Sequence, residues 1–427
     1  MLLVIIDFKT LLGVLLRPFM FALYFLSGFT PRSPRRWVFG SWSGKRFADN
    51  SAALFEHVLN QDQSGIEAVW ISHDRGVLQA LAKRGCVAHT PWSPGGILAC
   101  LTAGVIVFDG LTKDVNHWLT RGAKKVLLRH GVGIKKVERA IEHPGHRLYQ
   151  LFHGSLWQRA FWGYLLPWHL VRPDLMIATS PEHAAQGHAY YDVDESRIVI
   201  TGFPRNDILL SAGAKDIDER IRPLIAEARR RELPVFLYMP TFRDDDSRFD
   251  FPLAELEQMA ARHGIMLFVK LHFVDGLRQK SFVPDPAGNL RLLDPAIDAS
   301  EVFPAAAGLI SDYSSVVFDF VLTEKPVIFF VPDIDEYLRH SRSFYYDFEE
   351  ITPGPKAKSL DELETAIAAA VRDGLGEWTE RYDTVLSRLH TYRDAGASER
   401  TYQAIIERFL PSVTGSTAGR LTKSATS

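Results

Sequence analysis

Residues 308–330 read G-L-I-S-D-Y-S-S-V-V-F-D-F-V-L-T-E-K-P-V-I-F-F, and this order decides the fold. An apolar strand turns at Ser311-Asp312-Tyr313. Ser314 and Ser315 then precede an apolar helical run, and a second strand follows at 326–331. Strand, hydroxyl-bearing turn, helix start and strand make one parallel βαβ unit. The N–H groups at a helix start point outward without partners and favour negative charge, so two hydroxyls there suit a phosphate. Asp319 stands at i+4 from Ser315 and shares that helix face. The same residues also fit a plain N-cap at Ser314 and a solvated helix acid at Asp319.

Outward from this unit the rhythm repeats. Apolar runs predict strands at 37–40, 68–72, 104–108, 125–129, 174–179 and 197–201, then at 234–239 and 265–271. Helical patterns fall at 51–59, 76–83, 360–372 and 397–409, with a helix or helical hairpin in the aromatic-rich 148–168. Two domains are expected for 427 residues. The polar turn G-F-P-R-N-D at 202–207 marks the boundary, followed by a charged, helix-prone linker at 217–231. The expected layout is an apolar segment at 1–30, one Rossmann-like domain at 36–205, a second at 206–410, and a Ser/Thr/Gly-rich disordered tail at 411–427.

Bulk properties exclude several classes. A net charge of −2 gives no global basic field for nucleic acid. Two cysteines, Cys86 and Cys100, cannot build a disulfide scaffold, and no Cys/His spacing forms a metal site. Gly40 to Lys45 falls one residue short of a P-loop, and Arg46 stands where a magnesium-binding hydroxyl is required; a turn lining a cleft fits better. A nicotinamide dehydrogenase and an ordinary α/β-hydrolase also lack their motifs.

The first 29 residues are strongly apolar, but Arg17 and Pro18 interrupt them, and Arg32, Arg35 and Arg36 follow. A charge near the middle of a span is costly. The expectation is an interfacial or shallowly inserted helix on the inner membrane face, with a spanning anchor and an internal packing helix as other readings.

Ligands of open α/β sheets gather at the carboxyl ends of strands. The 125–129 strand ends in R-H-G-V-G-I-K-K, placing Arg129, His130, Gly131 and Lys135 there; His130 is a candidate general base beside an anionic substrate, or a structural turn histidine. Thr241 and Arg243 follow the 234–239 strand, and Lys270 and His272 close the 265–271 strand.

Together these motifs resemble the CDP-glycerol glycerophosphotransferase family, the teichoic-acid primases and polymerases. The matching strings are F-G-S-W-S-G-K-R-F-A-D-N, R-H-G-V-G-I-K-K, T-S-P-E, T-G-F-P-R-N-D, M-P-T-F-R-D-D, K-L-H, S-D-Y-S-S-V-V-F-D-F, K-P-V-I-F-F and F-Y-Y-D-F-E-E-I-T-P-G-P, in family order from Phe39 to Pro355. The resemblance implies a GT-B-like α/β fold, two doubly wound domains facing a cleft. It implies a donor such as CDP-glycerol, no tightly bound cofactor, and passage of phosphoryl-polyol to a lipid-linked glycan or polyol-phosphate acceptor with release of CMP. The place of work is the cytoplasmic face of the membrane, in teichoic-acid-like or capsular polymer synthesis.

By the same resemblance His130 is the catalytic base and His272 the second essential histidine. Ser314 and Ser315 cradle the donor diphosphate, Asp319 is an acid of the donor site, and Thr241 and Arg243 face the cleft. Phosphoryl transfer asks for such groups: a base for the nucleophile and positive or N–H groups on the phosphate, which Lys270 and Arg243 also supply. A histidine near its ordinary value of about 6.5 can accept a hydroxyl proton near neutrality. Nothing in the residues shows a divalent metal. Arg129 replaces the family's usual tryptophan, Val132-Gly133 its Thr-Pro, and Ser343 a usual arginine, which bear on acceptor and polyol more than on reaction class. Other readings of the same architecture are a nucleotide-sugar glycosyltransferase and a non-catalytic, membrane-bound glycan-binding protein.

Overall fold

The computed structural model describes residues 13–61, 65–211, 219–241, 251–271, 282–295, 297–340 and 343–410. Two parallel sheets organise them. The first has seven strands: β1 (Ser33–Gly40), β2 (Glu67–Ile71), β3 (Ala88–His89), β4 (Ala103–Phe108), β5 (Lys124–Leu127), β6 (Leu175–Ala178) and β7 (Ile198–Ile200), ordered β3-β2-β1-β4-β5-β6-β7. The second has six: β8 (Val235–Met239), β9 (Met266–Val269), β10 (Leu290–Leu292), β11 (Ala306–Ser311), β12 (Val327–Phe330) and β13 (Lys356–Ala357), ordered β10-β9-β8-β11-β12-β13.

The predicted strands are present because parallel strands covered on both faces are apolar throughout. Trp37, Val38 and Phe39 on β1 and Leu309 and Ile310 on β11 have no exposed surface. Register follows: Trp37 lies opposite Ala68 on β2 and Val105 on β4.

Each sheet winds outward in both directions from one strand pair, β1/β4 in the first and β8/β11 in the second. Such a reversal opens a crevice at the carboxyl ends of the two strands. The loop leaving β5 meets the loop leaving β11, where a Cβ built on Gly131 would lie 3.7 Å from Ser315 Oγ.

The aromatic segment is a hairpin of helices, Arg147–His153 and Leu156–Leu165; Ser155 caps the second by accepting from Gln158 N at 3.3 Å, while Gln158 reaches back to Ser155 N. At the amino terminus the helix Arg17–Ser27 has 11 residues, and no helix among the described residues is long and apolar enough to cross a membrane. Arg17, the charge that breaks the apolar stretch, is turned inward: its guanidinium donates to the Tyr164 carbonyl at 2.9 Å and lies over the rings of Trp118 and Trp168.

Among the described residues the halves are stitched at several points. Lys135 and Phe344 form an antiparallel bridge, extended by Lys136 N to Ser343 O at 2.9 Å and Tyr345 N to Ile134 O at 2.7 Å. The last described helix, Ala397–Phe409, follows the second sheet in sequence but packs on the first, with Tyr402 against Trp37 and His57 bonded to Glu399 at 2.9 Å. Asp207 caps it, accepting from Ala397 N and Ser398 N at 2.8 Å each.

Candidate active site

The loop after β5 places His130 at the crevice, where Asp49, the first residue of the helix Asp49–Leu59, receives its Nδ1 at 2.7 Å. The 42% exposed ring keeps Nε2 against Gly110, close enough that a Cβ added to Gly110 would sit 2.7 Å from it. Asp49 is 7% exposed and also binds Arg205 Nη1 at 2.5 Å. The other end of that guanidinium reaches Asp319, whose second oxygen accepts from Asn206 Nδ2 at 3.0 Å. Asn50 ties the loops together, accepting from Arg205 N at 3.1 Å and donating to the Arg129 carbonyl at 2.8 Å. A chain of alternating charge thus runs from His130 to the helix beyond Ser315.

The charges set the protonation states. Burial raises the cost of the Asp49 carboxylate, but Arg205 and His130 outweigh it and hold the group far below its usual range. The protein around His130 disfavours its cation, yet the Asp49 charge and hydrogen bond, with Asp109 and Asp114 behind, push the imidazole up to about 9. The direction is toward the imidazolium, away from an ordinary histidine, and the carboxylates responsible lie far away in sequence. Burial and the nearby Asp49 push the Asp109 carboxyl well up. One oxygen of Asp109 accepts from Ser51 N at 2.9 Å, while the other is buried without a hydrogen-bond partner. Asp49, Asp109 and His130 could each turn one ligand atom to a common point, the atoms lying within 4.8 Å of one another. Arg205 already neutralises Asp49, however, and His130 uses Nδ1 to bind it, so the trio fits an ion-pair network better than a cation site.

Ser314 and Ser315, half-buried, sit where predicted, ahead of the short helix Val316–Phe320. Ser314 Oγ accepts from Val316 N at 3.4 Å, whereas Ser315 makes no side-chain cap bond. A Cβ on Gly131 would meet Ser315 Oγ at 3.7 Å and Arg205 at 3.1 Å, so the hydroxyl faces the loop of the candidate base. Gly131 has φ +145°, a conformation only glycine adopts comfortably. Thr241 is anchored to the turn at 311–313: its N lies 2.9 and 3.0 Å from the Asp312 carboxylate oxygens, and its Oγ1 2.5 Å. Lys270 donates to the Pro295 carbonyl at 3.2 Å, and burial lowers its pKa against the pull of Asp298. Lys135 Nζ lies over Tyr337, 5.0 Å from the ring centre, on the seam between halves. Arg243 and His272 lie outside the described residues.

Asp319 shares a helix with the serines, and its carboxylate, 5% exposed, is engaged by Arg205 and Asn206. Arg129 has φ +67°, and its guanidinium lies over the rings of Tyr190 and Tyr191 and bonds Gln186. Asp49, Asn50, Arg205 and Asn206 were not singled out, although A-D-N and P-R-N-D place charged and amide side chains just after β1 and β7, where function gathers.

The whole arrangement has relatives. A family model described as CDP-Glycerol:Poly(glycerophosphate) glycerophosphotransferase matches residues 22–407. The chain is 25% identical over 392 residues to a teichoic acid glycerol-phosphate transferase of Staphylococcus aureus, covering 86% of this chain and 92% of that one. It is 26% identical over 358 residues to a teichoic acid poly(glycerol phosphate) polymerase of Bacillus spizizenii, covering 80% and 84%. A solved structure of the wall teichoic acid polymerase TagF with CDPG shares the fold, with a TM-score of 0.72, 22% identity and coverage of 94% of this chain and 97% of that one. By the span of that family match and the order of its motifs, the chain belongs to the CDP-glycerol:poly(glycerophosphate) glycerophosphotransferase family.

Proposed function

We propose that this protein transfers a polyol phosphate, glycerol phosphate first among them, from a CDP-linked donor to the hydroxyl of a membrane-linked acceptor in teichoic-acid-like polymer synthesis. The observation that carries the reading is the meeting of two loops: the one after β5, with the Asp49-held imidazole of His130, brings Gly131 to within 3.7 Å (from a Cβ built on it) of the Ser315 hydroxyl after β11. The acceptor oxygen attacks the phosphorus next to the polyol and the bond to CMP breaks. His130 Nε2 takes the hydroxyl proton. Ser314, Ser315 and Lys270, with Arg243 and His272 by the family resemblance, carry the phosphate charge, and Thr241 fixes the donor-side turn. Because Asp49 holds the resting ring protonated, the base becomes available only as pH approaches about 9.

The protein works as a peripheral enzyme on the cytoplasmic membrane face. Arg17 and Tyr164 clasp the first helix to the 156–165 helix; these two expose Phe19 (73%) and Trp157 (87%), and Phe29 (73%) follows just beyond the first. Large apolar side chains exposed together on clasped helices suit an interaction face.

The test is CMP release from CDP-glycerol by the purified protein with a lipid-linked acceptor, with His130→Ala as control and CDP-ribitol and a UDP-sugar in parallel. Acceptor-dependent CMP release that His130→Ala abolishes is expected. Turnover of the UDP-sugar alone would move the protein to sugar transfer.

A further inference from the structure

Arg129 is a buried cation that no carboxylate binds. It is 5% exposed, with its guanidinium over the rings of Tyr190 and Tyr191 at 5.2 and 5.3 Å. Nη2 donates to the Gln186 side-chain carbonyl at 3.4 Å, a long bond to a neutral group. Nη1 is buried with no hydrogen-bond partner among the described residues. A guanidinium stays charged at any working pH, so this one cannot shed a proton to escape the cost of burial. Ring faces offset part of that cost and leave the donor unsatisfied.

A second unsatisfied group comes from the other half. Tyr345 packs edge-on against Tyr190, with ring centres 5.5 Å apart, and against the ring of Tyr346 at 5.0 Å. Tyr346 is 9% exposed, its hydroxyl is buried without a hydrogen-bond partner, and the Arg129 charge reaches it. The other charges that bear on it are Glu182 and Arg388, which hold each other through two bonds of 2.7 and 3.0 Å. Of the acids nearby, Glu138 is bound by His169 at 2.8 Å and Glu350 is exposed. His183, also buried, is held neutral by burial and by the Arg129 charge. The seam therefore keeps a positive charge that its own acids leave unbalanced.

We propose that the seam binds a small inorganic anion, of chloride size, held by Arg129 Nη1 and the Tyr346 hydroxyl. Water would satisfy both hydrogen bonds and leave the charge. A monovalent anion satisfies both and cancels the charge as well. Its two ligands belong to different halves, and one of them directly precedes His130, so the anion fastens the candidate base's loop to the 206–410 half. The site depends on arginine at 129, where the usual tryptophan would bring no charge. The inference goes beyond the transferase reading and stands without it.

The experiment titrates sodium chloride against sodium gluconate at constant ionic strength and follows the melting temperature of the full chain, for wild type, Arg129→Met and Tyr346→Phe. Wild type should gain about 2–4 °C in chloride, saturably. Arg129→Met should show no saturable gain and, in gluconate, should match or exceed wild type, because an apolar chain replaces an unpaired buried charge. Tyr346→Phe should need more chloride for the same gain. Crystals grown in sodium bromide should show an anomalous peak within hydrogen-bond reach of both groups; if Arg129→Met fails to fold, this peak and Tyr346→Phe decide. The same chloride response in all three proteins would place the anion elsewhere and overturn the site. So would a wild type indifferent to chloride, with water then meeting the two groups, and a bromide peak in such a protein would mean binding at crystal concentration only.

Discussion

Arg205 donates to Asp319 across the two halves of the molecule: the arginine follows β7 of the first sheet, and the aspartate lies one turn beyond the Ser314-Ser315 turn of the second. With its other nitrogen Arg205 holds the carboxylate that binds His130. The donor-side helix and the candidate base are therefore registered through one buried guanidinium.

Replacing Arg205 by alanine leaves two buried carboxylates facing each other. Breaking a buried ion pair from one side costs about 3–5 kcal/mol. Denaturant unfolding of Arg205→Ala should show a loss of that order, and CMP release should fall with it. Arg205→Lys should rescue little, because a single ammonium cannot span both carboxylates. A variant as stable as wild type would show the network to be ornamental.

The pH dependence has a definite sign. The His130 pKa of about 9 lies above the ordinary value, so the native state holds this proton more tightly than the unfolded chain. The associated stability is complete below about pH 6.5 and is lost as pH rises through about 9. Melting temperature should decline over that window, and His130→Ala should flatten the decline. In kinetics kcat/KM should climb toward pH 9, and Asp49→Asn should move the climb to lower pH while reducing the plateau. Activity that instead falls across this window would make the imidazolium, not the imidazole, the working form.

Gly110 is held small by its neighbour. A Cβ there would stand 2.7 Å from His130 Nε2 and displace the ring or block the nitrogen. Gly110→Ala should cost activity on the scale of losing the base, about 10²–10⁴-fold. Its melting curve should stay near that of wild type, since the crowded atom is the far end of a half-exposed side chain. Retained activity would place the proton acceptor elsewhere.

The exposed face of the two clasped helices predicts vesicle binding. Phe19→Asp with Trp157→Asp removes two large apolar contacts, each worth about 1.5–3 kcal/mol when fully buried. Co-sedimentation with anionic vesicles should drop by tenfold or more. If the double variant pellets like wild type, the membrane contact lies on another surface.

Much of the fold was legible because parallel, doubly covered strands announce themselves as apolar runs. β1, β4, β8 and β11, which carry the crevice, were each visible in this way. The edge strands β3 and β13, with two residues apiece, and β10 with three are too short to leave a pattern. The helix Pro94–Thr102 opens with Pro94-Gly95-Gly96, which reads as a turn. In the site, the residues at strand ends could be seen and their pairings could not. Asp49 meets His130 from 81 positions away and Arg205 from 156, separations that only the sheet order brings together. The i+4 spacing of Ser315 and Asp319 is that of the helix start found there, but nothing in the spacing announces that Arg205 claims the acid.

The helix Ala397–Phe409 has a bearing on how the protein is made. It is synthesised long after Trp37 and the helix Asp49–Leu59, which it covers. A nascent chain leaves the ribosome amino terminus first, so the first sheet waits, with part of its apolar surface uncovered, until residues 397–409 have been made. A stop between the end of β7 and residue 397 would release a chain whose first sheet had every strand it needs and no cover from this helix. Such products should depend on chaperones and be degraded quickly.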